Sequence, residues 1–507
     1  MLKQIKEVLT PAWLRAFFAL AAVLLTVSFM NTAVFPLYDA INPYAREVTT
    51  AANVLTMIGI GAVAFFAPRR LNGTVFNIAA FAFLLASALL LPVAFRLSST
   101  AVLFLVCVMI GAARAWVMTS AALSASTLDR TQLGSCIIAA FLFYYPCNLV
   151  ALYCPFIVSF VLFLGLPLLS LLLSSHDAGP VLEATAGAEP PLDLAVTQPN
   201  TFLPLSSQIF VCLFIFRVAY GFALRFGEEA GTPLISSWGV LVIAACAIYM
   251  IVARKSLPID TCISWSLLLV IVGFYAVAAG HGEHLKLGVT LLSAGSTLFD
   301  MVSWMILLAI MRRNVYGATA VFAWGHGLMG IGTILGAQIA VRYNAALLVE
   351  EMPLFVLGGC FIVLFAAYAF FALRGFSFAE TIREITPAAP GAQAAAAVPD
   401  IPNVQATENA VNTDGPGCES AGQTIETQIT PAPRSIEERC AAIAERGGLT
   451  KREAEVLGML ARGRNRAYIE ETLVVSRNTV NSHVKHIYAK LDIHSHQELL
   501  DIVENEE

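Results

Sequence analysis

Charge is scarce in this chain. Asp, Glu, Lys and Arg make up only 13% of its 507 residues, while 58% are hydrophobic. A soluble domain carries about 25% charged residues, so the shortage excludes a freely soluble protein over most of the length. Close cysteine pairs are lacking too. The ten cysteines are scattered singly, and none has metal-ligand or redox spacing. That excludes a disulfide framework and a zinc knuckle; most sit in apolar runs, where a thiol behaves as a small hydrophobe. Nucleophile motifs and phosphate loops are missing as well. The chain is read as non-enzymatic, with no cofactor.

What is present is apolar length. A membrane-spanning helix needs about 20 mainly apolar residues, and such runs are expected near 13–34, 48–67, 74–95, 101–124, 133–153 and 155–174. A polar, proline-rich stretch over 176–204 follows. Six more runs then lie near 205–226, 234–253, 262–280, 285–311, 315–341 and 354–373. The first run is long and lacks a small-residue cleavage site, so it reads as a retained helix.

Lys and Arg fall on alternate loops. Lys3 and Lys6 precede the first run; Arg69 and Arg70, Arg130, Arg254 and Lys255, Arg312 and Arg313, and Arg374 follow runs two, four, eight, ten and twelve. The opposite loops are mixed or acidic, with Asp39, Arg46 and Glu47, then Glu228 and Glu229, then Glu350 and Glu351. By the positive-inside rule both termini are expected in the cytoplasm of a cell with this protein in its inner (plasma) membrane. Two sets of six runs around one long loop resemble the major facilitator superfamily. Phe66-Ala67-Pro68-Arg69-Arg70-Leu71 keeps that family's paired basic residues but lacks its Gly and Asp, which puts the usual gating contacts in doubt. The resemblance implies two six-helix halves with a cavity between them.

Ionisable residues inside the runs are few: Arg114, Arg217, Asp300 and His326. A charge at the centre of a span costs about 2.5–3.5 kcal/mol on insertion scales. Arg114 and Asp300 fall in the fourth run of each half. They read either as contributors to a central ligand site, with Arg217 and His326, or as structural charges. His326 lies among Gly325, Gly327, Gly330, Gly332 and Gly336, an arrangement that favours close helix packing over ligand binding.

Beyond the last run the composition changes. Residues 375–434 are rich in Pro, Ala, Thr and Gln, have no sustained apolar period, and read as a flexible tether. Residues 435–507 then form a compact pattern. Thr450 and Glu453 make a capping box; Val456, Leu457 and Leu460 share a face up to Gly463. Ile469 and Leu473 mark a short second helix. Ser476 stands where an N-cap is needed before a third, whose Val480, Val484, Ile487 and Leu491 form one buried stripe. Asn478, Ser482, Lys485 and Ala489 face the other way, flanked by Asn481 and His486. Small, amide and basic side chains on an exposed face suit a DNA major groove. Ser495 and Glu498 open a fourth helix with Leu499, Leu500 and Val503.

This segment resembles the four-helix DNA-binding domain of LuxR/NarL-type response regulators. Leu449, Thr450, Arg452, Glu453, Glu455, Val456, Leu457 and Gly463 carry the resemblance, followed by Ile469, Leu473, Ser476, Thr479, Val480, His483, Val484, Ile487, Tyr488, Lys490 and Leu491. It implies that the third helix enters the major groove of double-stranded promoter DNA. Asn481, Ser482 and Lys485 are then expected at bases and nearby phosphates, with Arg477, Asn478, Thr479 and His483 around them. It also implies pairing of two heads through the fourth helix. Asn481 stands where the family commonly has Lys, which points to adenine. Glu470 replaces a residue that is usually small. Arg462, Arg464, Arg466, Arg477, Lys485 and Lys490 form a basic cluster, either a phosphate footprint or, for 462–466, a solvated turn.

The expected whole is all-α. A six-plus-six, major-facilitator-like membrane domain (1–374) in contact with lipid is followed by a tether (375–434) and a LuxR-type helix-turn-helix (435–507). Two functions fit: a one-component regulator whose membrane part senses a small molecule or a membrane signal and whose tail acts as a homodimer on DNA, or a transporter with a regulatory DNA-binding tail. No receiver-like domain precedes the helix-turn-helix, so phosphorelay control is not expected.

Overall fold

The structure, a computed structural model, describes residues 9–151, 153–187, 208–229, 238–253, 257–279, 283–348, 354–385, 436–462, 469, 472–473, 477–491, 493, 498–499 and 502–503. Among these the chain is all-α and divides into two units, Met1–Asn403 and Val404–Glu507.

In the first unit a helix occupies each of the twelve apolar runs. Helix α1 (Pro11–Phe29) starts cleanly: Thr10 Oγ1 accepts from Trp13 N at 3.2 Å, and Pro11 takes the first helical position, where no N–H is needed. It passes through a π-helical turn, Met30–Val34, into α2 (Phe35–Asp39). Then come α3 (Ala45–Phe66), α4 (Gly73–Leu97), α5 (Thr100–Ser126), α6 (Arg130–Ala151) and α7 (Phe156–Ala186). The second set is α8 (Gln208–Glu229), α9 (Trp238–Ala253), α10 (Ile259–Ala278), α11 (Glu283–Arg313), α12 (Ala318–Leu348) and α13 (Leu354–Phe371). Among the described residues nine helices are long and apolar enough to cross a membrane, and two shorter apolar ones lie at 239–250 and 355–371.

Each set of six packs on itself. Helix α1 lies against α5, α6 and α7, and α5 also meets α3, α4 and α7; in the second set α8 lies against α11 and α12, and α10 against α11 and α13. The sets join through α3 with α12, α6 with α9, and α11 with α5 and α6. A stack of Phe216, Phe222, Phe274, Phe361 and Phe365 fills the second set.

Glycine decides the closest approach. A Cβ on Gly336 of α12 would stand 1.9 Å from the Val218 carbonyl oxygen of α8, and one on Gly221 would stand 2.1 Å from that of Thr333. The two backbones touch because neither residue has a side chain there. Gly325, Gly327, Gly330 and Gly332 likewise face Leu307, Ile58, Val54 and Phe214 within 3.1 Å. The glycines around His326 are therefore a packing device, which in lipid takes the place of hydrophobic drive.

Two boundaries depart from the sequence reading. Helix α7 runs on to Ala186, well into the stretch taken as a polar loop. Its Ala178, Val181, Leu182 and Thr185 repeat at helical spacing and are buried, and Arg15 grips Asp177 with two bonds of 2.8 Å. The chain also stays ordered past 375, where the tether was expected to start, because α14 (Phe378–Glu384) is docked on the first unit. Ser377 Oγ and Phe378 N donate to the Asp260 carboxylate at 2.8 and 2.6 Å; Arg313 Nε donates to Ile385 O at 2.9 Å. Phe378, Ile382 and Ile385 are buried in the same core. Composition hid this, since three apolar anchors in eight residues are too few for a periodic signal.

The second unit has its own core. Helices α15 (Ile436–Arg446), α16 (Lys451–Ala461) and α17 (Arg477–Leu491) enclose Cys440, Ile443, Val456, Leu457, Leu460, Val480, Val484 and Ile487, with Ile469, Leu499 and Val503 from shorter pieces.

Candidate nucleic-acid interface and buried charges

The helix-turn-helix is fixed by a small polar seam. The capping box forms: Glu453 N donates to Thr450 Oγ1 at 3.3 Å and Thr450 N donates to Glu453 Oε2 at 2.8 Å. Glu453 is 4% exposed, and Lys490 at the end of α17 reaches it at 2.7 Å while also donating to Gly448 O at 3.1 Å. One carboxylate thus starts α16 and pins the far end of α17 to it. Lys490, counted above in the basic cluster, is committed to this seam. Arg452 ties α16 to the next turn through Leu473 O at 2.9 Å, and Arg439 ties α15 to the last helix through Val503 O at 3.1 Å.

Hydrogen bonding from Lys490, then from the Thr450 backbone, holds the Glu453 carboxyl far below its ordinary value, at about 2. A depressed carboxyl pKa stabilises the fold above the unfolded value and loses that contribution as pH falls through the folded one. The second unit should therefore lose stability as pH drops from about 4.5 toward 2, and Glu453→Gln should flatten that loss. Thermal unfolding of the 436–507 fragment across this window checks it; an equally steep loss in the variant would contradict the assignment.

With Val480, Val484 and Ile487 turned inward, α17 presents Thr479, Ser482, Lys485 and His486 outward, while His483 is half-buried. The helix also carries Arg477, Asn478 and Asn481, whose side chains lie outside the described set. Gly463, Arg464, Arg466, Glu470, Ser476, Ser495 and Leu500 lie outside the described residues. Leu499 and Val503 pack inward, so any pairing surface on the fourth helix must use other residues.

In the first unit Asp300 of α11 pairs with Arg217 of α8, Oδ1 to Nη2 at 2.5 Å, and the guanidinium lies 4.8 Å from the Tyr220 ring centre. His326 of α12 is wedged between Trp304 and Phe322, at ring separations of 4.9 and 4.4 Å, with Nε2 buried and without a described partner. Arg114 of α5 is apart from them: its Nη1 donates to Met30 Sδ at 3.0 Å. The structure thus gathers Arg217, Asp300 and His326 in the second set and leaves Arg114 in the first. Sequence reasoning missed two links between the sets. Glu47 of α3 pairs with Arg225 of α8, and the Tyr145 hydroxyl of α6 bonds to Thr297 of α11. Their residue types gave no signal, because the partners lie 178 and 152 residues apart.

Residues 448–503 match the family of bacterial regulatory proteins, luxR family. No curated protein matches the chain. Among solved structures, the human organic anion transporter MFSD10 (TETRAN) is similar at 12% identity and a TM-score of 0.46, over 70% of this chain and 98% of that one. A bacterial homologue of the iron transporter ferroportin, outward-facing, gives 12%, 0.47, 70% and 99%. The major facilitator superfamily transporter FucP, in its outward conformation, gives 14%, 0.43, 71% and 98%.

Proposed function

We propose, from a luxR-family DNA-binding domain carried on one chain with a body of membrane-type helices, that this protein is a membrane-anchored one-component transcriptional regulator. The observation that carries the reading is this joining of a separately cored helix-turn-helix to helices, nine among the described residues, that are long and apolar enough to cross a membrane. All twelve runs cross the bilayer, the basic loops and both termini lie in the cytoplasm, and two heads pair on promoter DNA. The membrane body senses a small molecule near Arg114, Arg217, Asp300 and His326. Carriage of solute by the same body is the competing reading, and substrate-dependent uptake into proteoliposomes would favour it.

A 436–507 fragment carries the core described above and is the object to test. It should bind duplex DNA with steep salt dependence. Lys485→Ala should weaken binding to every sequence alike, whereas Asn481→Ala should cost about 1–3 kcal/mol at one base position. Salt-titrated binding to a randomised duplex pool measures both; no binding by the intact fragment would end the regulator reading. For orientation, a reporter fused after Arg374 should report cytoplasm, and a periplasmic report there would overturn the topology.

A further inference from the structure

Arg114 is the fifteenth residue of the 27-residue α5. At 1.5 Å per residue about 20 Å of helix lies on either side of it, so it sits near mid-span. A guanidinium stays charged in any protein environment. Three other arginines of the apolar helices have carboxylate partners: Arg217 has Asp300, Arg225 has Glu47, and Arg15 has Asp177. Arg114 has only the Met30 thioether, a weak and uncharged acceptor, and no carboxylate partner among the described residues. Leaving a half-buried, mid-span cation without a counter-charge is costly.

A second observation marks the same place. Met30 opens the π-helical turn Met30–Val34, and π-turns, which interrupt the regular backbone bonding of a helix, are frequent at functional sites. The next residue, Asn31, adds an amide and is half-buried, as Arg114 itself is, so neither is sealed by packing. A planar five-donor fork with one weak partner is matched in geometry by a carboxylate. One cation balances one negative charge, which favours a monoanion.

We infer that Arg114 anchors a small organic monocarboxylate, seated against Met30 and the π-turn of α1. This rests on the sensor reading and gives its ligand a chemical class. It also separates the roles of the buried charges: Arg114 meets the ligand, while Arg217 and Asp300 neutralise one another.

The test uses the full-length protein in detergent, with benzoate, phenylacetate and octanoate as probes and their primary amides as neutral counterparts. At least one acid should raise the unfolding midpoint by about 2 °C or more while its amide does not. Arg114→Gln should abolish that difference with no loss of the unliganded midpoint. Equal effects of acid and amide, no protection by any of the three acids, or protection surviving in Arg114→Gln would each overturn the inference. Should Arg114→Gln fail to fold, the acid–amide comparison on the unaltered protein decides alone. A promoter reporter in cells separates the two readings. Acid binding without a change in promoter output leaves the anion site standing and sinks the sensor; a response of Arg114→Gln cells to neutral compounds does the reverse.

Discussion

Gly336→Leu is expected to leave no folded membrane body. The atom that a Cβ would meet, 1.9 Å away, is the backbone oxygen of Val218, with Phe222 N next at 2.8 Å. A side chain can rotate out of a clash, but a helix backbone cannot. Overpacking a core costs about 1–3 kcal/mol where neighbours can yield, so this position should exceed that range. Separating α12 from α8 would also expose the helix whose other face meets α3. Gly359 has nothing within 4 Å and is the control. Size-exclusion profiles of both variants in detergent would show an aggregated Gly336→Leu beside a monodisperse Gly359→Leu; two intact peaks would refute the packing argument.

Asp300→Asn should have the next largest effect. It leaves the Arg217 guanidinium, 14% exposed at its side chain, without its counter-charge. Breaking a buried pair costs about 3–5 kcal/mol, whereas replacing both partners by neutral groups is often nearly free. Asp300 keeps 28% of its side-chain surface, and that solvent screening brings the loss below the range for a fully buried pair, to about 2–3 kcal/mol. Asp300→Asn with Arg217→Gln should recover most of it. Unfolding midpoints of the single and double variants measure the difference, and a double variant no more stable than the single would show that the pair is not what holds α8 to α11.

The twelve helices and the helix-turn-helix were legible because both are local. Apolar length marks a spanning run, and the Thr450–Glu453 box and the Val480, Val484, Ile487 stripe repeat at helical spacing. Long-range choices were not. Arg217 and Asp300 were both noticed, but no pattern said that Asp300 answers Arg217 rather than Arg114. Glu47 read as a loop residue until α3 placed it in a first turn opposite Arg225. Lys490 read as one of a basic cluster because its charge was visible and the Glu453 carboxylate beside it was 37 residues away. The π-turn at Met30 left no trace, since one extra residue in a helical turn does not change composition.

The last described fastening of the first unit decides which helices would bear a pull on the residues beyond it. The last long helix, α13, ends at Phe371, yet the chain stays fastened until Ile385, held by Asp260 of α10 and Arg313 of α11. A tug from beyond that point is delivered to α10 and α11, as a cable clamp spares the solder joint behind it. Arg312, next door, also stands 3.8 Å from Asp129 of the first set. Traction applied at Ile385 would therefore reach the end of the same helix that carries Asp300 before it reached α13.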